Sequence, residues 1–130
     1  MSIAGTYVLE SNSNYDAWLS AVGMPEENMK RMVAAKPIME VAVSGSTVTV
    51  TTKANDKEFT NTITSGKESK ASLPGGIDYS VNLTVSGSTI KGTFNFLGKP
   101  GNAELVFTAA GFSQTVTAAG VTAKRVYKRQ

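Results

Sequence analysis

The closing segment, Gly120-Val121-Thr122-Ala123-Lys124-Arg125-Val126-Tyr127-Lys128, reads as a strand, because strand side chains alternate between two faces. Thr122, Lys124, Val126 and Lys128 share one face, which is mostly polar and suits solvent. Val121, Ala123, Arg125 and Tyr127 share the other, which suits an interior yet carries a charge. A guanidinium does not shed its proton, so an inward Arg125 needs an anion. Glu40, Glu68 and Glu104 are candidates within the chain, and a ligand is the alternative source. An arginine that reaches solvent is a third reading, and the alternation alone does not choose among them.

Upstream of this strand the chain is strand-like as far back as Pro37. Thr, Val and Ile dominate, and turn signals recur at the spacing of a sandwich or barrel. The breaks fall at Ser44-Gly45-Ser46, Asn55-Asp56, Ser65-Gly66, Pro74-Gly75-Gly76, Ser86-Gly87-Ser88, a loop from Leu97 to Asn102, Ala110-Gly111 and Ala119-Gly120. They separate about nine short runs, and residues 5–10 add a first strand in which Tyr7 and Leu9 alternate with Thr6 and Val8. A meander of ten strands in so short a chain is expected to close on itself and remove its edges.

Two helices are expected between the first and second strands, over about residues 14–36. Ser13 and Asp16 have the spacing of a capping box, and Tyr15, Trp18, Leu19 and Val22 follow at helical intervals. Gly23 ends that helix. Pro25 suits the first turn of the next, with Glu26 and Glu27 at its positive end. Met29, Met32 and Val33 form a short apolar stripe there, with Lys30, Arg31 and Lys36 off it. Two short helices placed so early fit a cap over one end of a barrel.

Composition narrows the function classes. The 130 residues suit a single domain spanning 1–130, and the net charge is only +3. No basic stripe with interleaved aromatics is present, which argues against nucleic acid. Without histidine or cysteine there is no ordinary catalytic triad, thiolate nucleophile or zinc site. The ten carboxylates are scattered without a paired motif. No enzyme activity, metal or cofactor is therefore expected. No apolar run is long enough to span a bilayer as a helix, and no signal peptide is recognisable, so a cytoplasmic location is the default expectation.

The order of these elements resembles that of the intracellular lipid-binding proteins, the fatty-acid-, retinoid- and bile-acid-binding family. Gly5-Thr6-Tyr7-Val8-Leu9-Glu10-Ser11 resembles the family's opening strand, and Asn14-Tyr15-Asp16-Ala17-Trp18-Leu19 its first portal helix. Thr47-Val48-Thr49-Val50 resembles the third strand, and residues 120–127 the closing strand with its Arg-x-Tyr ending. The resemblance implies an all-β fold, a ten-strand antiparallel up-and-down β-barrel (a β-clam) of lipocalin-like, calycin type, capped by a helix-turn-helix. It further implies an intracellular carrier that holds a long-chain fatty acid, with the carboxylate on Arg125 and Tyr127. In many members a second inward arginine stands twenty residues before the first; here that position is Leu105. Leu105 leaves an apolar wall, which also suits a retinoid, bile acid or other bulky lipid. Phe59 resembles the portal phenylalanine.

The ligand site expected on these grounds comprises Arg125, Tyr127, Gln114, Leu105, Phe107 and Val116. An outward Gln114 in a shifted register is the competing placement. The portal expected comprises Trp18, Met29, Met32, Val33 and Phe59, with Lys30 and Arg31 touching anionic membranes or simply solvated. For any single aromatic, among Trp18, Phe59, Phe94, Phe96 and Phe107, core filling competes with cavity lining. The partners implied are a hydrophobic small molecule and, transiently, a membrane surface, with the chain a monomer. A reading of another class is a membrane-associated structural protein that carries lipid incidentally.

Overall fold

The computed structural model describes residues 3–34, 36–54, 57–73, 77–96 and 98–130. Strand β1 (Gly5–Ser13) leads into helices α1 (Tyr15–Ala21) and α2 (Glu26–Ala34). Nine strands follow: β2 (Ile38–Ser44), β3 (Thr47–Ala54), β4 (Lys57–Thr64), β5 (Lys67–Leu73), β6 (Ile77–Ser86), β7 (Thr89–Phe96), β8 (Lys99–Thr108), β9 (Gly111–Ala118) and β10 (Val121–Arg129). They form one antiparallel sheet ordered β4-β3-β2-β1-β10-β9-β8-β7-β6-β5. The sheet curls into the expected ten-strand barrel, with both helices between the first and second strands. The expected breaks at Asn55-Asp56 and Pro74-Gly75-Gly76, and Leu97, lie outside the described residues.

Closure differs from expectation at one seam. β4 and β5 lie side by side at the two ends of the sheet order, without a ladder between them. The Gly66 N–H donates to the Leu83 carbonyl of β6, and the Ser65 N–H to the Ser46 carbonyl in the β2–β3 turn, so the turn is tied down on both sides. The Thr64 N–H is satisfied by the Ser69 hydroxyl at 3.2 Å, where a strand carbonyl would otherwise serve. The barrel is thus nearly closed, with a side-chain contact bridging its seam.

Helix α1 does not begin with the expected capping box. β1 runs on to Ser13, which pairs with Lys124, so the serine remains a strand residue. Asn14 makes the corner in a left-handed conformation (φ 59°) and offers no side-chain cap. Asp16 accepts instead from the adjacent Ala17 N–H at 2.9 Å. The other end follows the sequence: Gly23 takes φ 84°, its N–H reaches Ser20 O, and the Met24 N–H reaches Leu19 O, a Schellman closure. Tyr15, Trp18, Leu19 and Val22 are buried, as their spacing requires. In α2 the Pro25 carbonyl accepts the first helical bond, from Met29, and no residue is fully buried.

The expected loop from Leu97 to Asn102 is mostly strand. Lys99, Pro100, Gly101 and Asn102 pair with Phe96, Asn95, Phe94 and Thr93 of β7. Local turn preference yields to the β7 ladder, while β9 pairs with β8 only from Gly101 onward. Pro100 therefore sits where one side of the strand is unpaired, the place a strand proline tolerates. Gly101 is needed for space: a Cβ there would meet the Phe94 ring and approach the Thr117 carbonyl oxygen to 2.5 Å. Gly101→Ala is expected to cost about 1–3 kcal/mol through overpacking against β9 and Phe94. Chemical denaturation measures this; an unchanged midpoint would mean that the segment behaves as a tolerant loop.

Candidate functional site

The barrel has one packed end and a hollow middle. At the packed end Phe112 stacks on Tyr127 (ring centroids 4.5 Å, 10° between planes) and meets Phe107 at 4.8 Å and Tyr7 at 4.9 Å. Tyr7 donates to the Ile3 carbonyl at 2.7 Å. Above this layer lies a cavity of about 760 Å³, within the range of small-molecule sites. β2 through β10 and both helices contribute to its wall. Val50, Val81, Leu83, Phe94, Phe96 and Leu105 make much of that wall apolar.

Arg125 lies in this wall, half-buried, on the inward face that strand alternation assigned to it. Its Nε–H donates to Asn12 Oδ1 at 2.9 Å. Its guanidinium carbon stands 4.1 Å from the centroid of the Tyr15 ring and 5.4 Å from that of Tyr127, both cation–π distances. Asn12 is exposed, so the cation sits beside the helix-capped rim and is not sealed in the barrel's depth. The internal ion pair considered from the sequence does not form. Among the described residues the salt bridges are Lys30–Glu26, Arg31–Glu27 and Lys53–Glu40, and none takes Arg125. The charge is held by an amide and two aromatic faces, not by an anion.

Register explains the grouping. Leu105 of β8 opposes Gln114 of β9, Gln114 opposes Arg125 of β10, and Arg125 opposes Asn12 of β1. All four form one row across the sheet. Gln114 is half-buried and lines the cavity, which rules out the outward placement. Val116 and Leu105 line it as well. The next row holds Phe107, Phe112, Tyr127 and Leu9. Phe107 faces inward but is taken up by Tyr7 and Phe112, so it belongs to the packed end and not to the cavity wall. A shared strand face could not reveal that, because depth along the barrel depends on the stagger of strands.

Burial tunes the phenols. Tyr127 is 2% exposed, and burial pushes its pKa up to about 12, against the opposing pull of Arg125 and with a small push from Tyr15. Tyr79 is pushed to about 12 by burial, then by Tyr15. Burial also raises Tyr15, and Arg125 opposes that rise. All three remain neutral donors at neutral pH. The Tyr127 hydroxyl and the Trp18 indole N–H are buried without hydrogen-bond partners among the described residues. An unsatisfied buried donor costs roughly 1–3 kcal/mol, so a group that met the Tyr127 hydroxyl would recover that cost.

The expected portal divides. Trp18 and Met32 line the cavity, and Trp18 packs on Phe94 and Phe96 at 5.9 and 5.7 Å. Met29 packs on the core without reaching the cavity wall, and half-buried Phe59 also lies outside that wall. Val33 is 40% exposed, because α2 turns Met29 and Met32 inward and leaves Val33 at the stripe's outer edge. Lys30 and Arg31 reach the rim, each in an ion pair one turn long with Glu26 or Glu27. Asn12, Tyr15, Thr52, Asn61 and Tyr79 were not singled out as site residues by the sequence. Tyr15 was visible only as part of a helical apolar stripe, and Asn12 carried no signal. Among the described residues no group of acidic side chains is placed to hold a metal.

The whole chain, residues 1–130, matches the Lipocalin / cytosolic fatty-acid binding protein family. It is 28% identical over 130 residues to a fatty acid-binding protein of Tyrophagus putrescentiae, covering 100% of this chain and 99% of the relative. It is 29% identical over 129 residues to fatty acid binding protein 1-B.1 of Danio rerio, covering 99% and 98%. Its fold superposes on a Schistosoma mansoni fatty acid binding protein in complex with arachidonic acid, with a TM-score of 0.90 and 22% identity over 98% of this chain and 96% of the other. The ten-strand meander, the helical cap after β1 and the hollow middle all agree with that match: the chain belongs to the lipocalin and cytosolic fatty-acid binding protein family.

Proposed function

We propose that this protein is a cytosolic, non-enzymatic carrier that reversibly binds a long-chain fatty acid in its cavity. In this reading the carboxylate rests on Arg125 and the Tyr127 hydroxyl, with the Gln114 amide as an additional donor. The observation that carries it is a guanidinium in an otherwise largely apolar cavity wall with no carboxylate partner among the described residues. Near it stands the buried Tyr127 hydroxyl, which has no hydrogen-bond partner among the described residues. A guanidinium and a phenol together offer charge-assisted and neutral donors to one carboxylate. The apolar wall takes the hydrocarbon tail; ten buried methylenes contribute roughly 8 kcal/mol before the entropic costs of association.

Entry is assigned to the rim formed by α1, α2 and the neighbouring strand ends, where Trp18 and Met32 meet the cavity. Lys30 and Arg31 give that rim little net attraction for an anionic membrane, since Glu26 and Glu27 match their charges. This weighs against the membrane-associated structural reading. A bulkier lipid acid fits the same anchor, because Leu105 leaves the wall beside Gln114 free of a second charge.

Arg125→Gln is expected to weaken binding of a long-chain fatty acid by about tenfold or more, the scale of a lost charged hydrogen bond, and to leave the matching fatty alcohol nearly unchanged. Fluorescent-probe displacement measures both. Equal losses for acid and alcohol, or no loss for either, would refute the anchor. Mass spectrometry of lipids extracted from the purified protein identifies the class carried.

Tyr127→Phe has a separate signature. The folded protein holds the Tyr127 proton up to about pH 12, whereas an unfolded tyrosine releases it near 10. Ionisation of this group therefore leaves stability untouched below pH 10 and lowers it as pH rises from 10 toward 12. The variant is expected to show a shallower alkaline loss, measured by denaturant unfolding at a series of pH values. At neutral pH its stability is expected to be undiminished, because the hydroxyl removed has no partner. Its fatty-acid affinity is expected to fall a few-fold. A variant with lower neutral stability and unchanged affinity would count against the assigned role.

A further inference from the structure

We infer that Asn12 is a positioning residue: its neutral amide holds Arg125 in place without neutralising it, so the preference for an anionic head group is set at position 12 as well as at 125. The inference rests on Arg125 being the anchor proposed above, and the experiment below separates the two.

The placement of Asn12 is the product of a β-bulge. β1 pairs with β10 as Tyr7 with Arg129, Val8 with Lys128 and Leu9 with Tyr127, then as Ser11 with Val126, Asn12 with Arg125 and Ser13 with Lys124. Glu10 is the extra residue. Were Glu10 instead paired in a regular ladder, Asn12 would oppose Lys124 and share the outward face. A bulge that re-aims one side chain next to a site is a recurrent structural device. Here it sets the Asn12 amide oxygen 2.9 Å from Arg125 Nε.

Both cross-strand neighbours of the cation are consequently amides, Asn12 on β1 and Gln114 on β9. The face of the guanidinium is covered by Tyr15 of α1 at 4.1 Å, another neutral group. Arginine has five N–H donors, and the bond to Asn12 uses one of them. The Nη groups have no carboxylate among the described residues. An aspartate at position 12 has nearly the same size and would form a closed ion pair. A ligand's anion would then compete with a carboxylate already in place. Asparagine supplies the same acceptor without that competition. Because Asn12 and Tyr15 belong to the end of β1 and the start of α1, the seating of the entrance helix and the aim of the cation are linked.

The test compares wild type, Asn12→Asp and Arg125→Gln. An alkyl sulfonate serves as an anionic probe that does not titrate, and the alcohol of the same chain length as a neutral one. Asn12 is exposed, so Asn12→Asp is expected to fold, which circular dichroism checks. For Asn12→Asp, sulfonate affinity is expected to drop about tenfold at neutral pH with the alcohol unchanged. It is expected to recover only well below about pH 4, as the introduced carboxylate, held low by Arg125, is protonated. Wild type is expected to show no such recovery. Loss of the sulfonate preference in Arg125→Gln with none in Asn12→Asp would overturn the role of Asn12 and leave the anchor standing. Unchanged preference in both variants would overturn the anchor and this inference together. Equal weakening of both probes by Asn12→Asp, without recovery at low pH, would show local damage and overturn the positioning role.

Discussion

The pairing of the first strand with the last is the constraint on which the rest of this structure depends. Each other strand pairing joins neighbours in the chain; β1 with β10 joins its two ends. The Gln130 N–H reaches the Thr6 carbonyl at 2.9 Å, and the Arg129 guanidinium bonds the Ala4 carbonyl at 3.1 Å, so the seam is fastened beyond its ladder. The entropic cost of closing so long a loop grows only logarithmically with its length. What this pairing achieves is large. It joins two runs of strands into the single sheet that curls into a barrel, and it brings Arg125 beside Asn12 and beneath Tyr15.

A barrel closed in this way can leave its middle unfilled. The wall is held by backbone ladders, and the close aromatic and cap packing lies to either side of the cavity: the Tyr7, Phe107, Phe112 and Tyr127 rings at one end, and Tyr15, Trp18, Leu19 and Val22 of the cap at the other. Side chains facing the cavity lack partners on one side and forgo dispersion contacts there. A ligand that fills the space supplies those contacts, so binding stabilises the folded state by mass action. Hollow middle and packed ends are two parts of one arrangement.

Much of this was legible in the chain. Alternation in residues 121–128 gave the correct inward set, and burial of Ala123 and Tyr127 against exposure of Thr122 and Lys124 follows it. Gly23 marked the end of α1 because few residues other than glycine take φ 84° cheaply. Local signals failed where non-local pairing outweighed them. Pro100 and Gly101 look like a loop, yet β7 holds them in a strand. Ser13 and Asp16 look like a cap, yet β10 holds Ser13 in β1. Phe107 shares a face with Leu105 but a different depth.

The sequence by itself determined the architecture: period-two alternation and the spacing of turns specify a meander, and two short amphipathic stretches after the first strand specify its cap. It also placed Arg125 on one strand face with Tyr127. Only the tertiary structure decided what surrounds that charge. Because Glu10 is bulged out of the ladder, Asn12 emerges on the side of Arg125, and strand stagger sets Gln114 beside the cation and Phe107 away from the cavity. The physical reason is that alternation fixes a face for each side chain within its own strand. Register between strands fixes which side chains meet, and register here is set by a bulge and by the joining of residues more than a hundred positions apart.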